Sequence, residues 1–167
     1  MVFVSSELVR CVAFDPQKPN ILASCSHDKT IKIWNIESGA CQSTLRVDAG
    51  FFGVQSVSFS PKGDVIAAGC SNGKIYLVDA LAGEVKSTLT GHDGYVPAFP
   101  CSACIQVVVF AHYPVTSRSV YCVGFDPSGK KLVSGSSDET VKVWSVGSSG
   151  TFECESTLTG HRYVPSL

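Results

Sequence analysis

His92, Ser134 and Asp138 are the side-chain types with which hydrolases activate a serine: a carboxylate orients an imidazole, which takes the hydroxyl proton. A second set, Cys101-Ser102-Ala103-Cys104 followed by His112, loosely has the spacing of zinc ligands. A structural zinc site needs four ligands, and a fourth at suitable spacing is missing. No nucleotide-binding loop and no isolated acid/base pair accompanies either set. Whether His92, Ser134 and Asp138 do chemistry or hold structure depends on the elements that carry them.

Those elements repeat. Val9 to Pro16, Ile21 to Ser24 and Asp28 to Asn35 form one unit. Val54 to Pro61, Val65 to Ala68 and Asn72 to Asp79 form a second, and Val120 to Pro127, Lys131 to Ser134 and Asp138 to Ser145 a third. Each reads as short β-rich segments divided by turn chemistry: Asp-Pro or Ser-Pro, then a Ser/Asn/Asp/Gly cluster, then Gly39, Gly83 or Gly147. A fourth strand follows at Cys41 to Leu45, Glu84 to Leu89 and Cys154 to Leu158, so four antiparallel strands per unit are expected. Trp34 and its counterpart Val78 are 44 residues apart, whereas Val78 and Trp144 are 66 apart. Removing the 24 residues Val96 to Ser119 restores a spacing of 42 and joins Gly91-His92-Asp93-Gly94-Tyr95 directly to Val120.

Composition narrows the class. A net charge of -1 with 16% charged residues gives no field to attract nucleic acid or anionic lipid. The eight cysteines sit mostly in apolar runs such as Arg10 to Phe14, where thiols behave as small hydrophobes, and are expected to be reduced and mostly buried. Met1 to Glu7 lacks the basic start and apolar core of a signal peptide. No apolar run approaches the roughly 20 residues that span a bilayer. An intracellular protein, cytoplasmic or nuclear, is expected, without nucleic-acid or membrane partners.

Through Gly91-His92, Gly160-His161, Trp34-Asn35 and Trp144-Ser145, the units resemble WD repeats. Three in-register copies cover about 140 residues. None has a literal Trp-Asp pair; the second unit has Val78-Asp79. The resemblance implies an all-β partial propeller of three four-stranded blades, part of a longer propeller. Blade one is expected at 1–46, blade two at 47–91, an irregular insert at 92–119, blade three at 120–161 and a tail at 162–167. The insert reads as a loop or as an extra strand over Ile105 to Phe110. Because the departures at Tyr95-Val96-Pro97 and Tyr163-Val164-Pro165 both begin with a valine codon, which starts with GT, intron read-through is a further reading.

The family's His, Ser/Thr, Asp and Trp form a structural hydrogen-bond network. By position it maps to Ser24, Asp28 and Trp34 in blade one, with Ser5 in place of the histidine. Blade three has His92, Ser134, Asp138 and Trp144, complete only if His92 reaches across the insert. Blade two has Ala68, Asn72 and Val78 instead. The resemblance also implies a non-catalytic scaffold for protein or peptide partners, without cofactor or metal, contacted at Arg10, His27, Gln55, Ser71, Tyr95, Tyr121 and Ser137. His27, in a turn, is expected to be exposed. The alternatives are a Ser/His/Asp hydrolase and a truncated isoform with no function of its own. Three blades cannot close a ring, since propellers use about 4–8. The end blades should present side chains like Val123, Phe125, Val141 and Val143 to water, forgoing roughly 6–12 kcal/mol at ~1.5–3 kcal/mol each. A typical domain is stable by only ~5–15 kcal/mol. Poor solubility, or self-association through the end blades, is therefore expected.

Overall fold

A computed structural model describes residues 8–92, 119–147 and 151–161. Its twelve strands form three antiparallel sheets, each of four consecutive strands. The first contains β1 (Val9–Phe14), β2 (Ile21–Ser26), β3 (Thr30–Asn35) and β4 (Ala40–Arg46). β5 (Val54–Phe59), β6 (Val65–Cys70), β7 (Ile75–Asp79) and β8 (Val85–Leu89) make the second. The third has β9 (Val120–Phe125), β10 (Lys131–Ser136), β11 (Val141–Val146) and β12 (Phe152–Leu158). This is the all-β, three-bladed partial propeller of the repeat pattern.

Local chemistry sets the turns. After the first strand, Asp15 Oδ1 accepts the backbone N–H groups of Gln17 at 2.8 Å and Lys18 at 3.2 Å, closing an Asx turn over Pro16. Asn35 and Asp79 close the turns after the third strands in the same way. The turn between second and third strands needs a left-handed residue after its Asp or Asn. Gly73 supplies it without strain, whereas Lys29 and Glu139 adopt φ of 71° and 63° there.

Alternation along the strands gives each sheet two faces, and the faces stack. Cys11, Ala23, Cys25, Ile31 and Ile33 of sheet one pack against Val57, Phe59, Ile66, Ala68 and Val78 of sheet two. On the other side of sheet two, Ala67, Ile75, Leu77 and Leu89 pack against Val120, Val123, Leu132 and Trp144 of sheet three. The first strands β1, β5 and β9 are packed together at the hub. The fourth strands are more exposed, as on a propeller rim.

Sheet two, covered on both sides, is thus the best-buried of the three sheets among the described residues, and one face of sheet one and one of sheet three are left open. This corrects the expectation for two of the four named end-blade residues. Val123 is 5% exposed and Phe125 packs on the second core, because both lie on the face that sheet two covers. The open face of sheet three carries Cys122, Val133, Val141 and Val143, as its register pairs Gly135 with Cys122 and Val141, and Val133 with Val143.

The thiols divide similarly. Cys11, Cys25 and Cys70 are buried, but Cys41 and Cys154, on the fourth strands, are exposed. No disulfide joins the described cysteines, and Cys101, Cys104, His112 and the apolar run Ile105 to Phe110 lie outside the described residues. No helix among the described residues is long and apolar enough to cross a membrane.

Candidate functional site

The third sheet gathers the hydrolase-like residues at one place. Ser134 is on β10 and Trp144 on β11, directly opposed neighbours of Lys142 and Leu132 in the ladder, so their side chains share the face toward sheet two. Asp138 is in the turn between these strands, and His92 arrives from beyond β8, across the insert. His92 Nδ1 lies 2.8 Å from Asp138 Oδ2, and His92 Nε2 lies 2.7 Å from Ser134 Oγ. The Trp144 indole N–H donates to Ser134 Oγ at 2.8 Å, and Thr140 Oγ1 donates to Asp138 Oδ1 at 2.6 Å.

Proton positions follow from the partners. Burial works to raise the Asp138 pKa, but hydrogen bonds from Thr140 and His92 outweigh it and hold the carboxyl below its ordinary value. Asp138 is therefore an acceptor, His92 Nδ1 donates to it, and Nε2 accepts the Ser134 hydroxyl. Ser134 in turn accepts from Trp144, so every donor in the chain has an acceptor. That is the bonding order of a Ser-His-Asp triad. Access is what differs. Ser134 is 1% exposed, His92 3% and Trp144 3%, and the indole occupies the serine's remaining side. A nucleophile must meet an electrophilic atom at about 3 Å, and nothing of substrate size reaches this hydroxyl.

Sheet one has the same arrangement without the histidine. Trp34 donates to Ser24 Oγ at 2.9 Å, and Thr30 Oγ1 donates to Asp28 Oδ1 at 2.6 Å. Here Ser24, Asp28 and Trp34 are all half-buried, because their face has no neighbouring sheet. Ser5, at the histidine's position, lies outside the described residues. Sheet two has Ala68 and Val78 buried in apolar packing, while Asn72 Nδ2 donates to the Asp48 carbonyl.

The residues expected to meet partners cluster at the sheet end that holds the turns between second and third strands, but three of them are not available there. Gln55, Ser71 and Ser137 are buried and bonded internally, which corrects that reading. Gln55 Nε2 donates to the Phe52 carbonyl. Ser71 Oγ accepts from Phe52 N–H at 3.0 Å and donates to the Ala49 carbonyl at 2.7 Å. Ser137 Oγ accepts from Ser119 N–H at 3.0 Å. Backbone groups of the linkers need such partners when they pass over a sheet end. Tyr121 is half-buried, and Tyr95 lies outside the described residues.

Arg10 and His27 differ. His27 is half-buried and not on the open surface as expected, because Gly53 brings the linker backbone against it. A Cβ on Gly53, at φ 68°, would stand 2.6 Å from His27 Cα. Both ring nitrogens of His27 and Nε of Arg10 are buried without a hydrogen-bond partner among the described residues. Burial and the nearby Arg10 charge lower the His27 pKa to about 4, so the ring is neutral at pH 7. Beside it, Phe52 lies 6.2 Å from the imidazole, and Phe51 stacks edge-on against Phe52 while itself 87% exposed. Phe51 was legible as an adjacent aromatic pair bracketed by Gly50 and Gly53, outside any strand pattern. The described residues contain no group of three or more His, Cys, Asp or Glu able to hold a metal ion.

Comparison with known proteins places this geometry in a family context. The model of the WD domain, G-beta repeat, matches residues 3–35 and 102–145, and that of the anaphase-promoting complex subunit 4 WD40 domain matches 48–105. Nuclear distribution protein PAC1 of Coccidioides posadasii is 34% identical over 152 residues, covering 89% of this chain and 30% of that protein. WD repeat-containing protein AAC3 of Dictyostelium discoideum is 24% identical over 158 residues, covering 81% of this chain and 32% of its own length. Protein tipD of the same organism is 29% identical over 153 residues, or 81% and 24% of the two lengths. The chain spans about a third or less of these relatives.

Proposed function

We propose that this chain, which belongs to the WD-repeat family, is a non-catalytic protein-interaction scaffold whose partner is gripped at the Arg10, His27 and Phe51 end of sheets one and two. The observation that carries the reading is the contrast between two histidines. His92 has both ring nitrogens bonded and is buried under Trp144. His27 has both nitrogens unpartnered among the described residues, beside the half-buried Phe52 on which the exposed Phe51 stacks. Unpaired buried polar atoms cost free energy, and an exposed aromatic ring is the usual chemistry of an interface hot spot. The ligand that fits is a peptide segment with an apolar side chain for the exposed Phe51 ring and a carboxylate drawn to the charge of the half-buried Arg10. Tyr121 is a further contact on the same end of sheet three.

Affinity capture on the immobilised chain, with Phe51→Ala and Arg10→Ala variants beside the wild type, tests this. Both variants should lose the same bound proteins while keeping the wild-type melting curve. Capture that is unchanged in both variants would place the partner surface elsewhere.

A further inference from the structure

The two junctions between sheets are closed differently at the sheet end opposite Arg10, His27 and Phe51, where the turns after the first strands meet. Between sheets one and two these turns touch. Gln17 Nε2 donates to the Pro61 carbonyl at 2.9 Å, and Gly63 lies so near Asp15 that a Cβ there would stand 2.3 Å from its carboxylate oxygen. Phe59, at the end of β5, is buried in that junction.

Between sheets two and three the same positions stay apart. Lys62 takes the place of Gln17 and bridges to no described residue. Gly129, in the place of Gly63, approaches only the Pro61 ring, with 3.3 Å left to a Cβ. Phe125, the counterpart of Phe59, is accordingly half-buried. The junction opens here into a groove of about 730 Å³, walled by Val65 of sheet two and by Phe125, Val146 and Phe152 of sheet three. Register explains why these side chains converge. Phe125 pairs with Leu132, and Phe152 pairs with Val146, two residues along β11 from Trp144, so all share the face toward sheet two. The Phe125 and Phe152 rings meet edge-on with centroids 6.1 Å apart. A cavity of this size lies within the range of about 300–1,000 Å³ typical of binding clefts.

The rim of the groove is charged, with Lys62 on one bank and Lys130 and Lys131 on the other, against the carboxylates of Asp64 and Glu155. Those carboxylates are engaged. Glu155 pairs with Lys131 Nζ at 2.9 Å, and Asp64 Oδ1 accepts the Ser60 hydroxyl at 2.7 Å. Asp126, in the adjoining turn, is bonded by the Ser128 hydroxyl and the Lys131 backbone N–H. Lys62 and Lys130 are exposed and make no ion pair among the described residues. Two unpaired cations thus stand on opposite banks of an aromatic-walled groove.

We propose that this groove binds an extended segment of a partner protein in which an aromatic or large aliphatic side chain is flanked by carboxylates. The apolar side chain enters between Val65 and the Phe125 and Phe152 rings, where its burial supplies the anchor. The flanking carboxylates meet Lys62 and Lys130, and these rim charges orient the segment and exclude basic ones. A polypeptide suits the arrangement because successive residues of an extended chain place acidic, apolar and acidic groups in a row at about 3.3 Å per residue. The groove is separate from the Arg10, His27 and Phe51 surface, so the scaffold carries one contact at each sheet end.

Fluorescence anisotropy on the full chain, with a labelled peptide of sequence Asp-Glu-Phe-Leu-Glu-Asp, tests this. Saturable binding with a Kd below about 1 mM is expected. A peptide with serines for Phe-Leu, and another with lysines for its four acids, should each bind about 10-fold or more weakly. Lys62→Glu combined with Lys130→Glu, both at exposed positions, should weaken the acidic peptide about 10-fold or more and leave the melting curve unchanged. Val146→Asp, at a position 43% exposed on the groove wall, should abolish binding in a folded chain. Phe51→Ala should bind as the wild type does, since that residue lies at the other sheet end. No binding at about 1 mM, equal binding of the lysine peptide, or an unchanged affinity in the double lysine variant overturns the proposal. Loss of binding in Phe51→Ala does so too, by moving the peptide to the opposite end.

Discussion

Ser134→Ala separates a structural from a catalytic role for the buried Ser-His-Asp chain. Removing one oxygen strands two groups at once. The Trp144 indole N–H loses its acceptor, and His92 Nε2 loses the hydroxyl that donates to it. Both sit in a region with a few per cent exposure or less, where water does not reach them. Each unsatisfied buried polar group costs ~1–3 kcal/mol, so for two groups a loss of roughly 2–6 kcal/mol is expected. For a chain of this size, ~1 kcal/mol lowers the melting temperature by about 2–4 °C, which predicts a fall of about 4–24 °C. The assay is urea unfolding followed by tryptophan fluorescence, with a double-mutant cycle through Trp144→Phe. Once the indole is absent, losing the serine strands one group fewer, so the two changes should couple by ~0.5–2 kcal/mol. A Ser134→Ala protein within ~0.5 kcal/mol of wild type, or strictly additive changes, would refute the assignment. A catalytic serine predicts that outcome instead: intact stability and a lost activity.

Other substitutions test neighbouring steps. His27 binds a proton less readily folded, with a pKa near 4, than unfolded at its ordinary 6.5. Its contribution to stability is therefore full above about pH 6.5 and lost as pH falls toward 4. The shift bounds the loss at about 3 kcal/mol, and partial solvent access reduces it to roughly 1–2 kcal/mol. His27→Gln should flatten that limb of the stability curve, as measured by urea midpoints from pH 7 to 4. Glu139→Gly should stabilise the chain by ~0.5–1 kcal/mol, because glycine adopts the left-handed turn conformation without a Cβ penalty, and a thermal melt would detect it. Gly69→Ala should destabilise by ~1–3 kcal/mol, since its methyl group meets Val120 within a packed interface. Thiol labelling of the native chain should modify Cys41 and Cys154 rapidly. Cys70, whose pKa burial raises to about 12, and Cys25, also raised by burial, should react only on unfolding.

Much of the fold was legible because β-sheet periodicity and turn chemistry are local. The Phe-Asp-Pro and Phe-Ser-Pro steps, the Asp/Asn turns and the recurring Val-x-x-Val-x-Phe pattern fix strand order and register before any long-range contact is considered. The gathering of His92 with Ser134, Asp138 and Trp144 was also a matter of counting positions within a repeat. What counting does not give is which face of an end sheet meets its neighbour. Val123 and Val133 are both apolar and ten residues apart, yet one is covered and the other 44% exposed, because only one face of sheet three has a sheet against it. The burial of three of the seven expected partner contacts has a similar reason. Gln55 near the start of β5, and Ser71 and Ser137 in turns, occupy plausible contact positions, but linkers crossing a sheet end bring backbone donors and acceptors that claim the nearest polar side chains. Phe51, with no repeat counterpart, was marked only by the local run Gly50-Phe51-Phe52-Gly53.

The three sheets show why such a network is kept whole or lost whole. In sheet two serine and tryptophan have become Ala68 and Val78, and no histidine precedes the first strand, so no buried donor or acceptor is stranded. Exchanging both partners of a hydrogen bond for apolar groups can be close to neutral, whereas removing one costs the full desolvation penalty of the other. Sheet two then recovers stability from packing on both sides, with Ile66, Ala67, Ala68 and Ile75 fully buried. Sheet one is the incomplete case, with Ser24, Asp28 and Trp34 present and the histidine's place taken by Ser5. An incomplete set is tolerated while the face is open, because water can meet the serine. Once another sheet covers that face, water is excluded and the serine hydroxyl needs an acceptor, so whatever covers sheet one must bring one, as His92 does for sheet three.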